Sequence, residues 1–437
     1  MKSTVPVQRT DARQSSPSQY RARVRSGAPR LVGFGLSVAI LAVASLIAIP
    51  AMIAASGEAV WGAIALGQYI GTVGAVAVGY GWGWFGPARI AQSDATGRRV
   101  EYLESLITRG VLILAVSPVA AGLAYGLASS APHFAAVSAV SMTSMGLSAN
   151  WYFVGLSRPF TMLALDTLPR AAGTAAAVIL MSMGHSAIMG PLGMFGGMMA
   201  ALCLCTIWVL RETDRAGAER RMRRSVGTVL VLNRHGIASA LGSSAYLAAP
   251  IAIVSVVAPG IQPAFALADR VKGLIIVAST PAVTVLQGWV PRAVGAARVQ
   301  RANVALVSAA TLALILGLGT IVVAPGLVRS LGSGRISLSW EVIVLMSGCV
   351  SLALFQAVVE RVALATFERL RTAVKALAAG SIVGLPLVSV GARQFGTAGA
   401  LGGIIVGSLV SVAIELIAYV NVVEKERTAN VAAVRAS

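Results

Sequence analysis

The sequence predicts an all-α polytopic membrane protein with about 12 transmembrane helices in two six-helix bundles. Of its 437 residues, 57% are hydrophobic and only 12% are charged, whereas a soluble domain carries about 25% charged residues. Apolar runs of about 20 residues recur along the chain, which suits a hydrocarbon core roughly 30 Å thick. Because lipid offers no hydrogen-bond partners, the backbone of such runs must pair within helices.

Twelve apolar runs can be bounded in the sequence, each to within several residues. They are 31–55, 59–83, 106–127, 134–155, 161–183, 188–210, 237–258, 263–288, 303–327, 339–360, 372–390 and 397–420. The run 134–155 gives the weakest prediction of a membrane span, because it is rich in Ser and Met.

The basic residues predict the orientation of the chain. The net charge is +19, and 29 of the 35 Lys and Arg residues fall in the two tails and in the loops on the same side of the membrane. Only Arg329, Arg335 and Arg393 fall on the opposite side. Such a bias is the positive-inside pattern, so both termini are predicted to lie in the cytoplasm of a multi-pass protein of the cell membrane. Nucleic-acid binding is not needed to explain the charge.

The same distribution divides the chain into five regions. We expect a disordered basic tail, a first six-helix bundle, a cytoplasmic basic linker, a second six-helix bundle and a second cytoplasmic tail. Their predicted bounds are 1–30, 31–210, 211–235, 236–420 and 421–437.

Internal similarity indicates that the two bundles are repeats. GPLGMFGGMM at 190–199 aligns with GTAGALGGII at 396–405, with four matching glycines at an offset of 206. AIALGQYI at 63–70 aligns with AFALADRV at 264–271 at an offset of 201. Six helices per repeat give both halves the same orientation, so they are related by a pseudo-two-fold axis along the membrane normal. Transporters with this arrangement bind substrate between the halves.

Three charges interrupt the apolar run FALADRVKGLIIV at 265–277, namely Asp269, Arg270 and Lys272. Successive helical residues turn by about 100°, so Asp269 can pair with one basic neighbour but hardly neutralises both. The group lies roughly 9–14 Å along the helix at 1.5 Å per residue. Charges at such depth usually face a wet cavity. Snorkelling to the interface or a purely structural ion pair are the alternative interpretations.

A second charged group, Asp166 and Arg170, has the i,i+4 spacing of an ion pair on one helix face. Together with Arg270 and Lys272, Arg170 predicts a cationic cavity between the halves. A phosphate or pyrophosphate suits such a cavity, because Arg binds it through bidentate hydrogen bonds. Asp166 and Asp269 are candidates either for coupling to a proton or sodium gradient or for structural ion pairs.

Sequence signatures of enzymes are missing. The chain has no Walker-type glycine loop, no His-Glu-x-x-His and no Gly-x-Ser-x-Gly. Its three cysteines and three histidines have no spacing typical of a metal site. We therefore expect a protein that is not an enzyme and that needs no cofactor and no metal. Glu415 lies deep in the last run, where a carboxyl group can carry a proton or bind a cation.

Three segments carry a resemblance to a known family. NWYFVGLSRPFTMLALDTLPR (150–170) resembles a Trp/Phe-Phe-x-Gly-Leu segment followed by a new span. FALADRVKGLIIVASTPAVTVLQGWVPR (265–292) resembles a Tyr-x-x-Ala-Asp-Lys stretch that ends in Pro-Arg, with Phe265 and Arg270 in place of the Tyr and Lys. Residues 368–411 resemble the last two spans with the Gly-x-x-Gly-Ala turn between them. The family is that of the Wzx-type polysaccharide-repeat flippases, within the multidrug/oligosaccharidyl-lipid/polysaccharide exporter superfamily.

The resemblance implies a V-shaped exporter fold that moves an undecaprenyl-pyrophosphate-linked sugar repeat across the membrane for cell-surface polysaccharide biosynthesis. It implies that Arg170, Arg270 and Lys272 meet the pyrophosphate, and that other polysaccharide-assembly membrane proteins and membrane lipids are partners. A lipid II flippase and a drug/cation antiporter of the same superfamily remain alternatives, although the antiporter should prefer a carboxylate-rich cavity. A membrane polysaccharide polymerase or ligase is a more remote alternative, since it would need a long outer loop.

Overall fold

The computed structural model describes residues 17–212 and 224–436, and these are helical with short connections. The described residues of the first half form nine α-helices: α1 (Pro17–Ser56), α2 (Glu58–Gly79), α3 (Trp82–Gln92), α4 (Ala95–Leu127), α5 (Pro132–Thr143), α6 (Asn150–Leu156), α7 (Pro159–Met162), α8 (Leu168–Ser182) and α9 (Met189–Glu212). Those of the second half form five: α10 (Val226–Val257), α11 (Gln262–Trp289), α12 (Ala296–Leu331), α13 (Trp340–Val358) and α14 (Leu370–Ala436).

The predicted fold class, twelve membrane helices in two bundles, is confirmed. Within the described ranges, ten helical stretches are long and apolar enough to cross a membrane. The last of these, Arg371–Glu424, contains two predicted spans, because α14 kinks at Gly396, where φ is 61°. The twelfth span is the Ser- and Met-rich one. It is built from α5, a 3₁₀ turn at Ser144–Leu147, and α6.

The described helices extend into the regions predicted as tails and linker. Residues 1–16 of the predicted disordered tail lie outside the described residues, but α1 already begins at Pro17. Likewise, residues 213–223 of the predicted linker lie outside the described ranges, α10 begins at Val226, and α14 continues to Ala436. Extending an existing helix costs much less than nucleating one, so the strongly helical apolar runs extend into their polar flanks.

Three of the four glycine pairs that align at an offset of 206 have matching surroundings. Gly197 and Gly403 each pack directly on the backbone of the preceding span, so that an added Cβ would lie 2.8 Å from the Pro169 carbonyl or 2.7 Å from the Leu387 carbonyl carbon. Gly193 and Gly399 make equally close backbone contacts, whereas Gly196 and Gly402 both face open space. The repeat read from the sequence is therefore also a repeat of helix packing.

A turn shared by the two halves supports the same duplication. Ser157 ends α6 with a φ of 55°, and Glu368 precedes α14 with a φ of 58°. In both turns the next amide, that of Arg158 or Arg369, donates to the carbonyl five residues earlier, at 3.0 and 2.9 Å respectively. The two halves therefore connect their fourth and fifth spans by the same backbone geometry.

The two halves meet at the end of the molecule opposite the termini, which is the predicted outer end. Gln262 Nε2 donates to the Gly62 carbonyl at 2.9 Å, and an Arg335 guanidinium nitrogen donates to the Ile53 carbonyl at 3.0 Å. Fully buried side chains from both halves, including Leu66 and Phe265, form one apolar core beneath these contacts. We call this region, residues 50–66 with 262–267 and 332–336, the outer closure.

At the terminus end, α10 is held by the first half. Arg224, which precedes α10, lies 2.7 Å from Glu101 Oε1 and 3.5 Å from Glu104 Oε2. The Tyr80 hydroxyl donates to the Leu230 carbonyl at 2.9 Å. The first helix of the second half is thus tied to the first half at one end, and its other end packs in the core shared with the outer closure.

Candidate functional site

A cavity of about 540 Å³ lies between the halves, directly below the outer closure. It is lined by α1 and α2 of the first half and by α10, α11 and both arms of α14 from the second half. The walls are mostly aliphatic, contributed for example by Leu46, Leu247 and Val277. The polar groups converge on the side formed by α2 and α11. The cavity therefore has one charged end and apolar sides, as a site for an amphipathic ligand requires.

The stretch FALADRVKG of α11 first packs in the core beneath the outer closure and then lines the cavity. Phe265, Ala266, Leu267 and Ala268 are fully buried in the core. Asp269, Arg270, Lys272 and Gly273 then line the cavity. The charges in this apolar span thus face the space between the halves rather than lipid.

Asp269 pairs with Lys272, whose Nζ lies 2.5 Å from Asp269 Oδ1. Both side chains are only 17% exposed. The i,i+3 spacing places them on one face of α11, as the helical geometry of the sequence predicts. The attraction within a buried ion pair must offset the free energy lost when both charges leave water. Removal of either partner would leave an uncompensated buried charge, which is strongly destabilising.

Two residues of the first half complete this arrangement. The Tyr69 hydroxyl donates to Asp269 Oδ2, and the Tyr69 ring centroid lies 5.2 Å from the Arg270 guanidinium carbon, within cation–π range. Arg270 Nη2 donates to the side-chain carbonyl of Gln68. Sequence reasoning did not assign Gln68 and Tyr69 a role at the site, although they are the positions equivalent to Asp269 and Arg270 in the 201-residue alignment.

The charge balance at this end of the cavity is positive. Lys272 and Asp269 neutralise each other, and the partners of Arg270 are a neutral amide and an aromatic ring. Within residues 17–212 and 224–436, no ion pair is formed by Arg270. One guanidinium charge therefore faces the cavity without a carboxylate to balance it.

Arg170 lies elsewhere, and the prediction that it shares one cavity with Arg270 and Lys272 is not supported by its position. It is not among the residues that line this cavity. Its Nη1 lies 3.0 Å from Asp166 Oδ2, which confirms the i,i+4 pair, and Asp166 also accepts from Ser148 Oγ at 2.9 Å. Asp166 lies in the interior of the first bundle, with 2% of its side chain exposed, whereas the Arg170 side chain is 19% exposed.

A π-helical turn, Leu163–Thr167, positions Asp166 there. Pro169 follows it and has no N–H to donate to the carbonyl four residues earlier, so the regular α-helical ladder cannot continue through this point. The wider turn accommodates the proline and directs Asp166 toward the broken span of α5 and α6.

Arg109, which the sequence analysis counted among the cytoplasmic charges, is buried within the first bundle. It is 1% exposed and donates to the carbonyls of Gly146 and Ser148 at 3.2 and 2.8 Å. These carbonyls belong to the break between α5 and α6, where the helical ladder does not satisfy them. A buried break in a membrane helix needs such a partner. The sequence contained one indication that Arg109 is buried, namely its position within the predicted span 106–127.

The candidate coupling residues differ in their pairing. Asp166 and Asp269 both have basic partners, at 3.0 and 2.5 Å, so the geometry fits the structural-pair interpretation of each. Glu415 is 1% exposed, and its contact in the described part of the chain is a long hydrogen bond of 3.4 Å from Gln356 Nε2. It is the buried carboxylate without a basic partner among the described residues.

No known family model matches this chain, and no curated protein matches it in sequence. Solved structures do match it. An inward-facing multidrug-resistance MATE-family transporter of the MOP superfamily superposes with a TM-score of 0.68 at 14% identity, over 88% of this chain and 96% of that one. The lipid II flippase MurJ in an inward closed conformation gives 0.63 at 13% identity, over 88% and 87%. An outward-facing MATE transporter of the same superfamily gives 0.51 at 13% identity, over 91% and 95%.

The chain therefore has the fold of the MOP-superfamily transporters and is a multi-pass membrane protein. It superposes better on the inward-facing MATE structure than on the outward-facing one. That difference agrees with the contacts of the outer closure, which join the halves at the predicted outer end.

Proposed function

We propose that this chain is a flippase that moves an undecaprenyl-pyrophosphate-linked sugar repeat from the inner to the outer leaflet of the cell membrane, for cell-surface polysaccharide biosynthesis. The observation that carries the proposal is Arg270, whose unbalanced positive charge faces a largely apolar cavity between the halves. The MOP-superfamily fold supports a transporter, and the resemblance of 150–170, 265–292 and 368–411 to the Wzx-type flippases supports the substrate class.

The chemistry of the cavity fits a phosphorylated lipid head. A guanidinium presents a planar fork of donors that matches phosphate oxygens, and burial strengthens the attraction. The aliphatic walls suit the first part of a polyprenyl chain, while the remainder of the chain stays in the bilayer. A hydrated sugar by itself would gain little from these walls.

The alternatives predict different sites. A drug/cation antiporter needs net negative charge in the cavity, but the carboxylate that lines it, Asp269, is already paired with Lys272. A lipid II flippase would bind the same pyrophosphate, so the cavity fits it equally well and the attached sugar distinguishes the two. A polymerase or ligase would act chemically on the saccharide, and we infer instead a protein that is not an enzyme.

The closed outer end supports a mechanism of alternating access. With the halves joined at the outer closure, the head group enters the cavity from the cytoplasmic side, and separation of the outer closure releases it to the other side. The orientation, with both termini in the cytoplasm, rests on the positive-inside distribution. Replacing Arg220 by cysteine tests it: a membrane-impermeant thiol reagent added to intact cells should leave this position unlabelled.

The test of the substrate site is the export of surface polysaccharide by cells that depend on this chain. We expect Arg270→Ala to reduce export at least tenfold at normal membrane levels, because a charge-assisted hydrogen bond is worth about 1.5–3 kcal/mol. Arg270→Lys should keep part of the activity, since it keeps the charge but not the fork.

Arg329→Ala is the matched control, because Arg329 is exposed at the predicted outer end and should be dispensable. Lys272→Ala should also reduce export, because it leaves Asp269 without its cation. Full export by the Arg270→Ala and Lys272→Ala variants alike would reject the cationic cavity.

A further inference from the structure

We infer that Tyr69 determines the anion selectivity of the cavity, by occupying one oxygen of Asp269 and by stacking on Arg270. This inference rests on the proposed function, because it concerns the site at which a phosphate head group would bind. Tyr69 itself need not touch the substrate, so it is a positioning residue.

The first step concerns the two oxygens of Asp269. Lys272 Nζ lies 2.5 Å from Oδ1, and the Tyr69 hydroxyl donates to Oδ2. Each oxygen therefore has a strong donor. Arg270, the next residue of the same helix, forms no hydrogen bond or ion pair with Asp269 among the described residues and donates instead to Gln68.

The second step concerns Arg270. Its guanidinium packs on the Tyr69 ring and donates one hydrogen bond to Gln68, and both partners are neutral. A guanidinium has five N–H donors, so most of them remain available for a ligand. Tyr69 thus holds the orientation of Arg270 and leaves its charge intact, whereas a carboxylate partner would neutralise that charge.

Removal of the Tyr69 hydroxyl should shift the preference of the cavity from anions toward cations. Asp269 Oδ2 would lose its donor while remaining in a site of low polarity, and an unsatisfied charged oxygen attracts the nearest available cation. That cation is either Arg270 or a cationic molecule in the cavity. The net positive potential toward an anion falls in both cases, and the site becomes more attractive to cations.

The arrangement also depends on the conformation of the protein. Tyr69 and Gln68 belong to the first half, while Asp269 and Arg270 belong to the second. Separation of the outer closure removes both partners together and admits water. The anion site is therefore complete only while the halves are in contact, and by linkage an anion bound there favours that contact.

The experiment is a double-mutant cycle on the purified full-length protein, with inorganic pyrophosphate as the probe. Tyr69→Phe keeps the ring and removes the hydroxyl. We expect it to weaken pyrophosphate binding about tenfold, as the loss of a hydrogen bond to a charged group predicts. In an Asp269→Asn background, the same Tyr69→Phe change should alter the affinity less than about twofold, because the carboxylate on which it acts is gone.

The binding of tetraphenylphosphonium, a lipophilic cation, provides a second readout. Tyr69→Phe should tighten it while weakening pyrophosphate binding, a result that simple loss of folding would not give. Tyr125→Phe is the matched control, because Tyr125 is exposed on α4 and is not among the residues that line this cavity. It should leave both affinities unchanged.

Three outcomes would overturn the inference. Equal effects of Tyr69→Phe in the Asp269 and Asn backgrounds would show that Tyr69 does not act through the carboxylate. Unchanged pyrophosphate and tetraphenylphosphonium binding in Tyr69→Phe would exclude the role altogether and leave the proposed function intact. A wild-type protein that does not bind pyrophosphate would instead overturn the proposed function together with this inference.

Discussion

Gly62 and Pro263 occupy equivalent positions in the two halves, 201 residues apart, and they contact each other. A Cβ on Gly62 would lie 3.1 Å from Pro263 Cγ. Nearly two turns further along the same helices, Tyr69 bonds Asp269 and Gln68 bonds Arg270. In the alignment with an offset of 201, Asp269 is equivalent to Gln68 and Arg270 is equivalent to Tyr69. Gln68 therefore contacts the equivalent of Tyr69, and Tyr69 contacts the equivalent of Gln68, so a two-fold rotation converts each contact into the other. The pseudo-two-fold axis therefore passes between α2 and α11.

The contact on this axis predicts that a larger residue at Gly62 opens the outer closure. Valine would bring its Cβ and methyl groups against the Pro263 ring, and overpacking of this kind in a packed core pushes the neighbouring elements apart. We expect Gly62→Val to increase labelling of a cysteine at the cavity position Ser45 by an impermeant thiol reagent added outside. The measurement uses a background in which Cys203, Cys205 and Cys349 are replaced by alanine. Gly122→Val, at a position that faces open space, is the control and should not change labelling.

The paired glycines of the repeat predict opposite effects for neighbouring substitutions. Gly197→Ala and Gly403→Ala should lower the thermal unfolding temperature of the purified protein, because their Cβ atoms would meet the backbone of the preceding span. The cost of such overpacking is about 1–3 kcal/mol. Gly196→Ala and Gly402→Ala, one residue away, face open space and should be neutral or stabilise the helix by up to about 1 kcal/mol. Equal destabilisation by all four changes would contradict the packing repeat.

The buried guanidinium of Arg109 predicts a large loss of stability on truncation. Arg109→Leu would leave the Gly146 and Ser148 carbonyls without their donor inside the bundle. Each unsatisfied buried group costs about 1–3 kcal/mol, so the unfolding temperature should fall by several degrees. Arg109→Lys should recover little, because the shorter lysine side chain places its ammonium about one bond nearer the backbone than the Arg109 Nη1 atom that donates to both carbonyls. The control is Arg393→Leu at an exposed site, which should leave the unfolding temperature unchanged.

The buried carboxylates predict a contrast between two amide substitutions. Asp166→Asn removes the charge that balances Arg170 at 3.0 Å, so it should destabilise the protein by about 3 kcal/mol or more, as breaking a buried ion pair does. Glu415→Gln removes a buried charge that has no basic partner among the described residues, so stability should stay constant or rise. Thermal unfolding of the two variants side by side checks this, and destabilisation by Glu415→Gln equal to that by Asp166→Asn would contradict the pairing argument.

The spans could be predicted because hydrophobicity and length act locally. Eleven predicted runs form largely continuous helices, and Gly396 marks the turn between the last two. The span at 134–155 shows the limit of this approach. Its Ser-rich composition gave a weak prediction, but the position of the break at Ser144–Leu147 depends on Arg109 from another helix. A break that is stabilised from outside the segment cannot be located from the segment alone.

The site was predicted in part. The helical spacing of Asp269, Arg270 and Lys272 gave the correct ion pair and the excess positive charge. The structure places Arg170 beside Asp166 and not in the lining of this cavity. The sequence does not show this, because two charges at similar predicted depths can face either the space between bundles or the interior of one bundle. Only the packing around each helix decides which of its faces lines the space between the bundles and which faces the interior of its own bundle.

The amino-acid sequence by itself determined the membrane class, the spans, the duplication and the presence of charge in the α11 span, because these depend on local composition and spacing. The tertiary structure decided which charges share a cavity and which partners they have. Tyr69 and Asp269 are 200 residues apart in the chain, so their contact depends on how the two bundles meet. Since Asp269 pairs with Lys272, Arg270 remains the unbalanced cation of the cavity.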